Sequence, residues 1–413
     1  MKKESKLYHG WLVVIGCLLI TMTMVPPIMA LSNKYLIYVT EDLGISRSAF
    51  TLANTILQGL GIFISPFVSR KLMQGNMKKI MAISVIGYAV FYGSYSLATS
   101  ALHLYISSVL LGICYLNATL IPVSMMVTNW FAKKRGLAIS IAMAGIGIGG
   151  TIFSPVLSYL LESVGWRNTY RIMALIILVI ALPTTLFLLK KRPEDAGLKA
   201  YGAEDMENNG GRKAVARGID IPVSEAKTKT FFILLLLGML LNGIINAGTL
   251  GQFPPAIQEM HGVAIQAAII SLYSITGTVG KILLGWINDR FGIAGSSIFG
   301  CSAFALALIF MLLSENHVSI LYLMAFAFGF GNPIGAVSPP LIVAEIVGTE
   351  KYGEAYGIAN SFMQTGLSVG SLLVAAIYDA QGSYTLAWII LLVCTVLTLI
   401  CWLSSSKLAK NYK

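Results

Sequence analysis

The sequence predicts an all-α membrane protein with twelve transmembrane helices in two six-helix halves, residues 1–189 and 230–413, joined by a cytoplasmic linker over 190–229, both termini cytoplasmic. Three observations carry that prediction. Of the 413 residues, 56% are hydrophobic and 11% charged, with a mean hydropathy of +0.77, well outside the balance of a soluble domain. A span needs about 20 apolar residues, and twelve such stretches begin near Trp11, Phe50, Ile80, Leu104, Leu137, Tyr170, Thr230, Ala264, Ala294, Val318, Ala355 and Tyr384. Lysine and arginine are segregated. With the N-terminus inside, 24 of the 29 fall on the cytoplasmic side, while Lys34, Arg47, Arg167 and Arg171 fall outside and Lys281 falls within a span. This is the positive-inside asymmetry, and it accounts for the net charge of +11 as an insertion signal, with no nucleic-acid partner expected.

Taken in order, the first span is too long, and too poor in small residues near a cleavage point, for a removed signal peptide, so it is expected to remain as an anchor. Gly145 and Gly149 in span five, Gly331 and Gly335 in span ten, and Gly366 and Gly370 in span eleven are GxxxG pairs, which let helix backbones approach closely. Prolines such as Pro26, Pro122, Pro155, Pro254, Pro333 and Pro339 predict bends in both halves. The halves echo each other at an offset of 217 residues: Pro122 with Pro339, Gly136 with Gly353, Ala138 with Ala355, Gly165 with Gly382. Two parallel repeats rocking about a midplane site are one way that transporters alternate access. The linker carries KKRPEDAG and an ENNGG patch, with charges of both signs. Cys17, Cys114, Cys301, Cys394 and Cys401 all fall inside spans without a CxxC pair or a nearby histidine, so structural thiols are expected and no metal or cofactor.

One charge interrupts the apolar pattern. Lys281 lies in SLYSITGTVGKILLGW, a stretch without an acidic residue. A lysine at that depth costs roughly 3 kcal/mol or more and usually faces a bundle interior or aqueous cavity. It lies eight residues before Asp289, about 12 Å at 1.5 Å per residue. Ser274, Gly277, Thr278 and Gly285 share its helical face, and Ile275, Val279 and Leu283 do not. An anionic substrate is the partner such a cation calls for. The plain alternative is a lysine bound to carbonyls at a helix break or snorkelling to the interface. Lys34, seven residues before Glu41 and about 10 Å from the outer helix end, is open to the same snorkelling reading.

No Asp, Glu or His lies centrally in a span, so a buried-carboxylate proton relay is not expected. His9, His103, His261 and His317 are at helix ends, and Glu345 is near the cytoplasmic end of span ten. Coupling would run through lysines, water or the substrate carboxylate. A proton that neutralises a carboxylate removes a voltage term of roughly 2.3 kcal/mol per 100 mV. Tyr115 and Asn117 in span four, Asn242 and Asn246 in span seven, Tyr273 in span eight, Asn332 in span ten, and Asn360 and Gln364 in span eleven are candidate contacts for a hydroxyl or keto group. Each has an alternative use in interhelical hydrogen bonds of about 0.6 kcal/mol.

Between spans eight and nine the chain reads GWINDRFG. This resembles the loop signature Gly-x-x-x-Asp-Arg-x-Gly of the major facilitator superfamily, with Gly285, Asp289, Arg290 and Gly292 matching, and the resemblance implies a gating role for Asp289 and Arg290. The first-half counterpart, VSRKLMQGNMKK, is basic but has no aspartate. HGWLVVIGC, TEDLGISRSAF and NWFAKKRGLAISIAMAGIGIGG are similar to the monocarboxylate transporter branch and its oxalate/formate exchanger relatives. In that branch a basic residue of span eight binds the substrate carboxylate, and the matching position is Lys281. The lysine that animal members associate with proton acceptance falls on Lys34. Similarity to bacterial lactate carriers favours Tyr115 and Asn117, and implies a bacterial cytoplasmic (inner) membrane. Two departures stand out: the aspartate of animal members is Gly277 here, and the second cation of oxalate exchangers aligns with Met363.

The expectation is therefore a monomeric carrier, not an enzyme, that moves a small monocarboxylate of the lactate or pyruvate class with a proton across the lipid bilayer. An exchanger of oxalate/formate type is the alternative, since one embedded cation matches one carboxylate and a dicarboxylate prefers two. A drug or metabolite exporter ranks behind, because AGIGIGGTIFSP lacks the Gly-Pro step of the antiporter motif. A receptor would need an output segment that the linker and tail do not offer, and an enzyme a nucleophile–base pair or metal cluster that the spans lack.

Overall fold

A computed structural model describes residues 8–29, 31–203, 218–314 and 317–412. The ENNGG patch (207–211), and Lys2, Lys3, Lys6, Arg212, Lys213, Arg217 and Lys413 of the charge count, lie outside the described residues, as does the Arg47 side chain. Among the described residues ten apolar helical stretches are long enough to cross a membrane, and Arg135–Leu188 and Ala264–Leu313, at 54 and 50 residues, have the length of two crossings each. Each of these two folds back at a glycine of positive φ, Gly165 (74°) and Gly292 (69°). Twelve crossings result. Spans one to four are His9–Met29, Ala49–Gln74, Met77–Leu97 and Ala101–Trp130; spans five and six are 135–164 and 166–188; span seven is Thr230–Gly262. Spans eight and nine are 264–291 and 293–313, span ten is Val318–Gly335 continued by Ser338–Val347, span eleven Tyr352–Gln381 and span twelve Thr385–Tyr412.

Two compact units result: Met1–Leu60 with Val68–Ala216, and Gly61–Phe67 with Arg217–Lys413. The matched positions of the sequence recur as matched backbone features. Gly165 and Gly382 take φ of 74° and 67° where one span turns into the next. Nothing lies within 4 Å of a β-carbon built at either, so the backbone angle itself selects glycine; a left-handed residue with a β-carbon costs about 1–2 kcal/mol. Pro122 and Pro339 each stand in the first turn of a helix that resumes after a break. Span four is interrupted at Thr119 (φ −110°, ψ −116°), and span ten by the 3-10 turn Asn332–Gly335.

The GxxxG pairs of spans five and eleven bring backbones together, and in span ten Gly331 does so while Gly335 faces the Asn246 side chain. In the first unit, β-carbons at Gly145 and Gly149 would collide with the Leu18 and Met22 carbonyls of span one. In the second, β-carbons at Gly366 and Gly370 would collide with the Leu240 and Ile244 carbonyls of span seven, and one at Gly331 with the Phe304 backbone. Several buried hydroxyls are satisfied within their own helices: Thr185 donates to the Ala181 carbonyl, Thr249 to Ile245, Thr395 to Leu391 and Thr398 to Cys394, all at 2.7–2.8 Å. This is the pattern an apolar solvent demands. Trp130, at the end of span four, and Trp402, within span twelve, are fully buried.

The ends of the 190–229 segment are fastened to their own units. Trp130 Nε1 donates to the Lys190 carbonyl at 2.8 Å, Tyr8 Oη to the Lys199 carbonyl at 2.7 Å, and the Tyr201 N–H to the Trp130 carbonyl at 2.8 Å. At the other end, the Asp220 N–H donates to the Tyr412 carbonyl at 2.7 Å, and Lys351 Nζ to the Ile219 carbonyl at 2.6 Å.

Candidate functional site

Span eight sorts its side chains into three sectors. Thr276, Gly280, Tyr273 and Leu284 are buried. Gly280 abuts Phe330 and Pro333 of span ten, with a β-carbon there 3.1 Å from each, and Gly329 abuts Thr276. Ile275, Val279, Ile282 and Trp286 are exposed and apolar, an acyl-chain surface. Between these sectors run Ser271, Ser274, Thr278 and Lys281. The three hydroxyls donate to carbonyls of their own helix, Ser271 to Ala267, Ser274 to Ile270 and Thr278 to Ser274. Lys281 is half-buried, and among the described residues its amine has neither a hydrogen-bond nor an ion-pair partner. The stripe can satisfy itself except at its one cation.

The break in span ten lies level with that cation, because Gly280, its chain neighbour, is the residue packed on Pro333. Asn332 opens the break as a half-buried side chain with no hydrogen bond among the described residues. The break is braced from span seven: Asn242 Nδ2 donates to the Ile334 carbonyl at 3.4 Å, and Asn246 Nδ2 to Asn242 Oδ1 at 3.0 Å and to its carbonyl at 2.8 Å. Asn242 and Asn246 are thus committed to holding the broken helix. Helix breaks at this depth are where carriers present backbone and side-chain polar groups to a substrate.

Tyr273 is 9% exposed, and its ring meets Phe328 edge-on at 5.1 Å. Asn360 is buried and donates to Ser65 Oγ at 2.9 Å, while Gln364 is buried where Gly61 leaves room for it; all four belong to the second unit.

In the first unit, Tyr115 and Asn117 are both buried in the turn before the span-four break. Asn117 Nδ2 is spent on the Ile113 carbonyl at 2.8 Å, and its Oδ1 has no hydrogen-bond partner among the described residues. Lys34 stands beyond the end of span one, in the 3-10 turn Ser32–Tyr35. Its amine donates to the Ser154 carbonyl at 3.0 Å and to Ser158 Oγ at 2.6 Å, both on span five. Next to it Tyr35 stacks on Tyr170 at 3.9 Å and meets Tyr92 hydroxyl to hydroxyl at 3.3 Å.

Asp289 and Arg290 are exposed at the span eight–nine turn, where the Arg290 guanidinium lies 5.4 Å from the Trp286 ring and 5.5 Å from that of Phe291. Sequence reasoning left Glu345 without a role. Its Oε2 accepts the Ile293 N–H at 3.3 Å, capping span nine just past the Gly292 break, and its Oε1 accepts from Ser406 Oγ of span twelve at 3.4 Å. The signal was present as one acid in the apolar run SPPLIVAEIV. The first unit's corresponding turn is held by the opposite charge. Lys191 Nζ donates to the Met73 carbonyl and, at 3.3 Å, to that of Gly75, at the end of span two.

The family model described as Major Facilitator Superfamily matches residues 11–314 and 235–411. The chain is similar to monocarboxylate transporter 12 of Mus musculus, at 25% identity over 411 residues, covering 92% of this chain and 82% of that protein. It is similar to monocarboxylate transporter 13 of Rattus norvegicus at 22% over 303 residues, 71% of this chain and 65% of the relative. An MFS-type transporter of Gibberella moniliformis is 28% identical over 279 residues, 64% of this chain and 60% of its own length.

Proposed function

Because the chain belongs to the Major Facilitator Superfamily and is a multi-pass membrane transporter, we propose that it carries small monocarboxylates of the lactate and pyruvate class in symport with a proton, by alternating access. One observation carries this reading: Lys281 stands in a membrane-spanning helix with no protein partner among the described residues, beside the Asn332 break. A carboxylate supplies the missing charge, and a proton moving with it leaves the loaded carrier with less charge to move across the membrane potential. The monocarboxylate transporters among the relatives support the substrate class. Asn332, Tyr273, Tyr115 and Asn117 serve the neutral part of the substrate, Asn360 and Gln364 border it, and Asp289 and Arg290 act in gating. Lys34 takes part in coupling, exchanging its span-five acceptors for an entering anion. The chain works as a monomer in a bacterial cytoplasmic membrane, with both termini inside as the lysine and arginine count suggests.

The test is uptake of labelled lactate or pyruvate into proteoliposomes that enclose a pH dye. Lys281→Gln abolishes uptake and Lys281→Arg keeps part of it, while substrate addition acidifies the lumen. Full activity of the Gln variant would sink the role of Lys281. Uptake without acidification, accelerated by a carboxylate preloaded inside, would give the oxalate/formate type of exchange instead.

A further inference from the structure

The turn between spans two and three carries Arg70, Lys71, Lys78 and Lys79, and transport as proposed uses none of them. All four are exposed, and none has an ion-pair partner among the described residues. A groove of ≈ 470 Å³ opens beside them in the first unit. Lys71, Asn76 and Lys79 form its mouth, and Ile83 and Phe91 of span three and Ile113 of span four its walls. A β-carbon at Gly87 would lie 2.6 Å from Cys114 Sγ, so the missing side chain at Gly87 keeps the two helices close along the floor.

The dimensions of the groove and the exposure around it name its occupant. From Lys79 to Phe91 a helix rises about 18 Å, against about 15 Å for one leaflet of a hydrocarbon core about 30 Å thick. The groove therefore runs from headgroup level to the middle of the bilayer, cationic at its mouth and apolar along its length. Its surroundings are apolar and exposed as well, with Ile83 at 60%, Ile86 at 45% and Val90 at 58%. Below the mouth the lining carries no cation, only apolar side chains with Ser84, Cys114 and Asn117 among them, and the Asn117 amide donates to the Ile113 carbonyl, so a water-soluble anion has no charge to bind there. We propose that this groove holds one anionic phospholipid of the leaflet bordering the Gly75 turn, its phosphate against Lys71 and Lys79 and an acyl chain along Ile83 and Phe91. This lipid site is independent of the carboxylate reading of Lys281.

Native mass spectrometry of the full chain, released from detergent with equal amounts of phosphatidylglycerol and phosphatidylcholine, tests it. The unaltered protein retains phosphatidylglycerol preferentially, by up to about thirtyfold, the ratio that two surface lysines give. The double variant Lys71→Gln, Lys79→Gln loses the preference. Asn76→Asp loses it too, although aspartate preserves the cap that Asn76 Oδ1 gives the Lys79 N–H, so this variant separates charge from folding. Lys407→Gln with Lys410→Gln keeps it. Equal retention of the two lipids by the unaltered protein, or an undiminished preference in both mouth variants, overturns the proposal. Displacement of the lipid by excess inorganic phosphate does so as well, since it would make the mouth a site for free anions.

Discussion

Glu345, at the end of span ten, accepts the backbone N–H of Ile293 at 3.3 Å and so caps a helix that begins 52 residues earlier in the chain. A carboxylate on a helix N-terminus contributes about 0.3–1 kcal/mol through the dipole. Glu345→Gln keeps the shape and removes the charge, and lowers the stability of the solubilised protein by about 1 kcal/mol in a thermal-shift assay. An unchanged melting temperature would mean that the cap contributes nothing.

Asn332 opens the span-ten break without a hydrogen bond among the described residues. If it contacts the neutral end of the substrate, Asn332→Ala raises KM for hydroxy and keto acids by about tenfold, the worth of one hydrogen bond at about 1.5 kcal/mol, and leaves transport of an unsubstituted acid such as propionate unchanged. An equal loss for all three acids would assign it to bracing the helix.

Lys34 separates into a bond and a charge. Ser158→Ala removes one acceptor and leaves the Ser154 carbonyl, at a cost of about 1 kcal/mol in stability and little in uptake. Lys34→Gln raises the half-saturating substrate concentration on the outer face and changes its pH dependence. Identical pH profiles for Lys34→Gln and the unaltered protein would leave the lysine a purely structural tie.

Adjacent glycines of span five have opposite surroundings. A β-carbon at Gly149 meets the Met22 carbonyl and comes within 2.9 Å of Pro26 Cγ, whereas at Gly150 nothing lies within 4 Å. Gly149→Ala therefore destabilises the first unit by about 1–3 kcal/mol, and Gly150→Ala gains up to about 1 kcal/mol from helix propensity. Folded yield by fluorescence-detected size exclusion ranks them, and the reverse order would mean that this helix contact is not as close as described.

Lys191 lies outside the spans, and burial, then the neighbouring Arg192 charge, hold its amine below the ordinary 10.5, with Asp195 opposing. The unfolded chain binds the proton more tightly than the folded one, so this group's contribution to stability increases as pH rises through the folded pKa toward 10.5. Lys191→Met removes that alkaline gain from thermal-shift curves, and a gain that persists in the variant would have to come from another group.

Much of this arrangement was legible in the sequence, because the bilayer reduces a helix to about 20 apolar residues and its ends to positive charge. The starting points near Phe50, Ala264, Val318 and Tyr384 fall within a few residues of the observed helices. Lys281 was visible as the charge with nothing beside it, and the GxxxG pairs as places of close approach. What stayed hidden are pairings across the chain. Asn360 meets Ser65 from 295 residues away and Lys34 meets Ser158 from 124, and nothing in the neighbouring sequence names either partner. The span-four break at Thr119 has only Pro122 to announce it. Residues Gly61–Phe67 grouping with the second unit had no sequence signal at all.

The sectors of span eight also bear on how the protein is made. A helix leaving the translocon must satisfy its polar groups before its neighbours exist, and Ser271, Ser274 and Thr278 do so on their own backbone. Lys281 has no such recourse and costs about 2.5–3.5 kcal/mol at insertion, which side chains like Ile275, Val279 and Ile282, at about 0.3–0.6 kcal/mol each, must offset. The lipid-facing sector of this helix therefore acts first as ballast during biosynthesis: it carries into the membrane a cation that its own helix leaves without a partner.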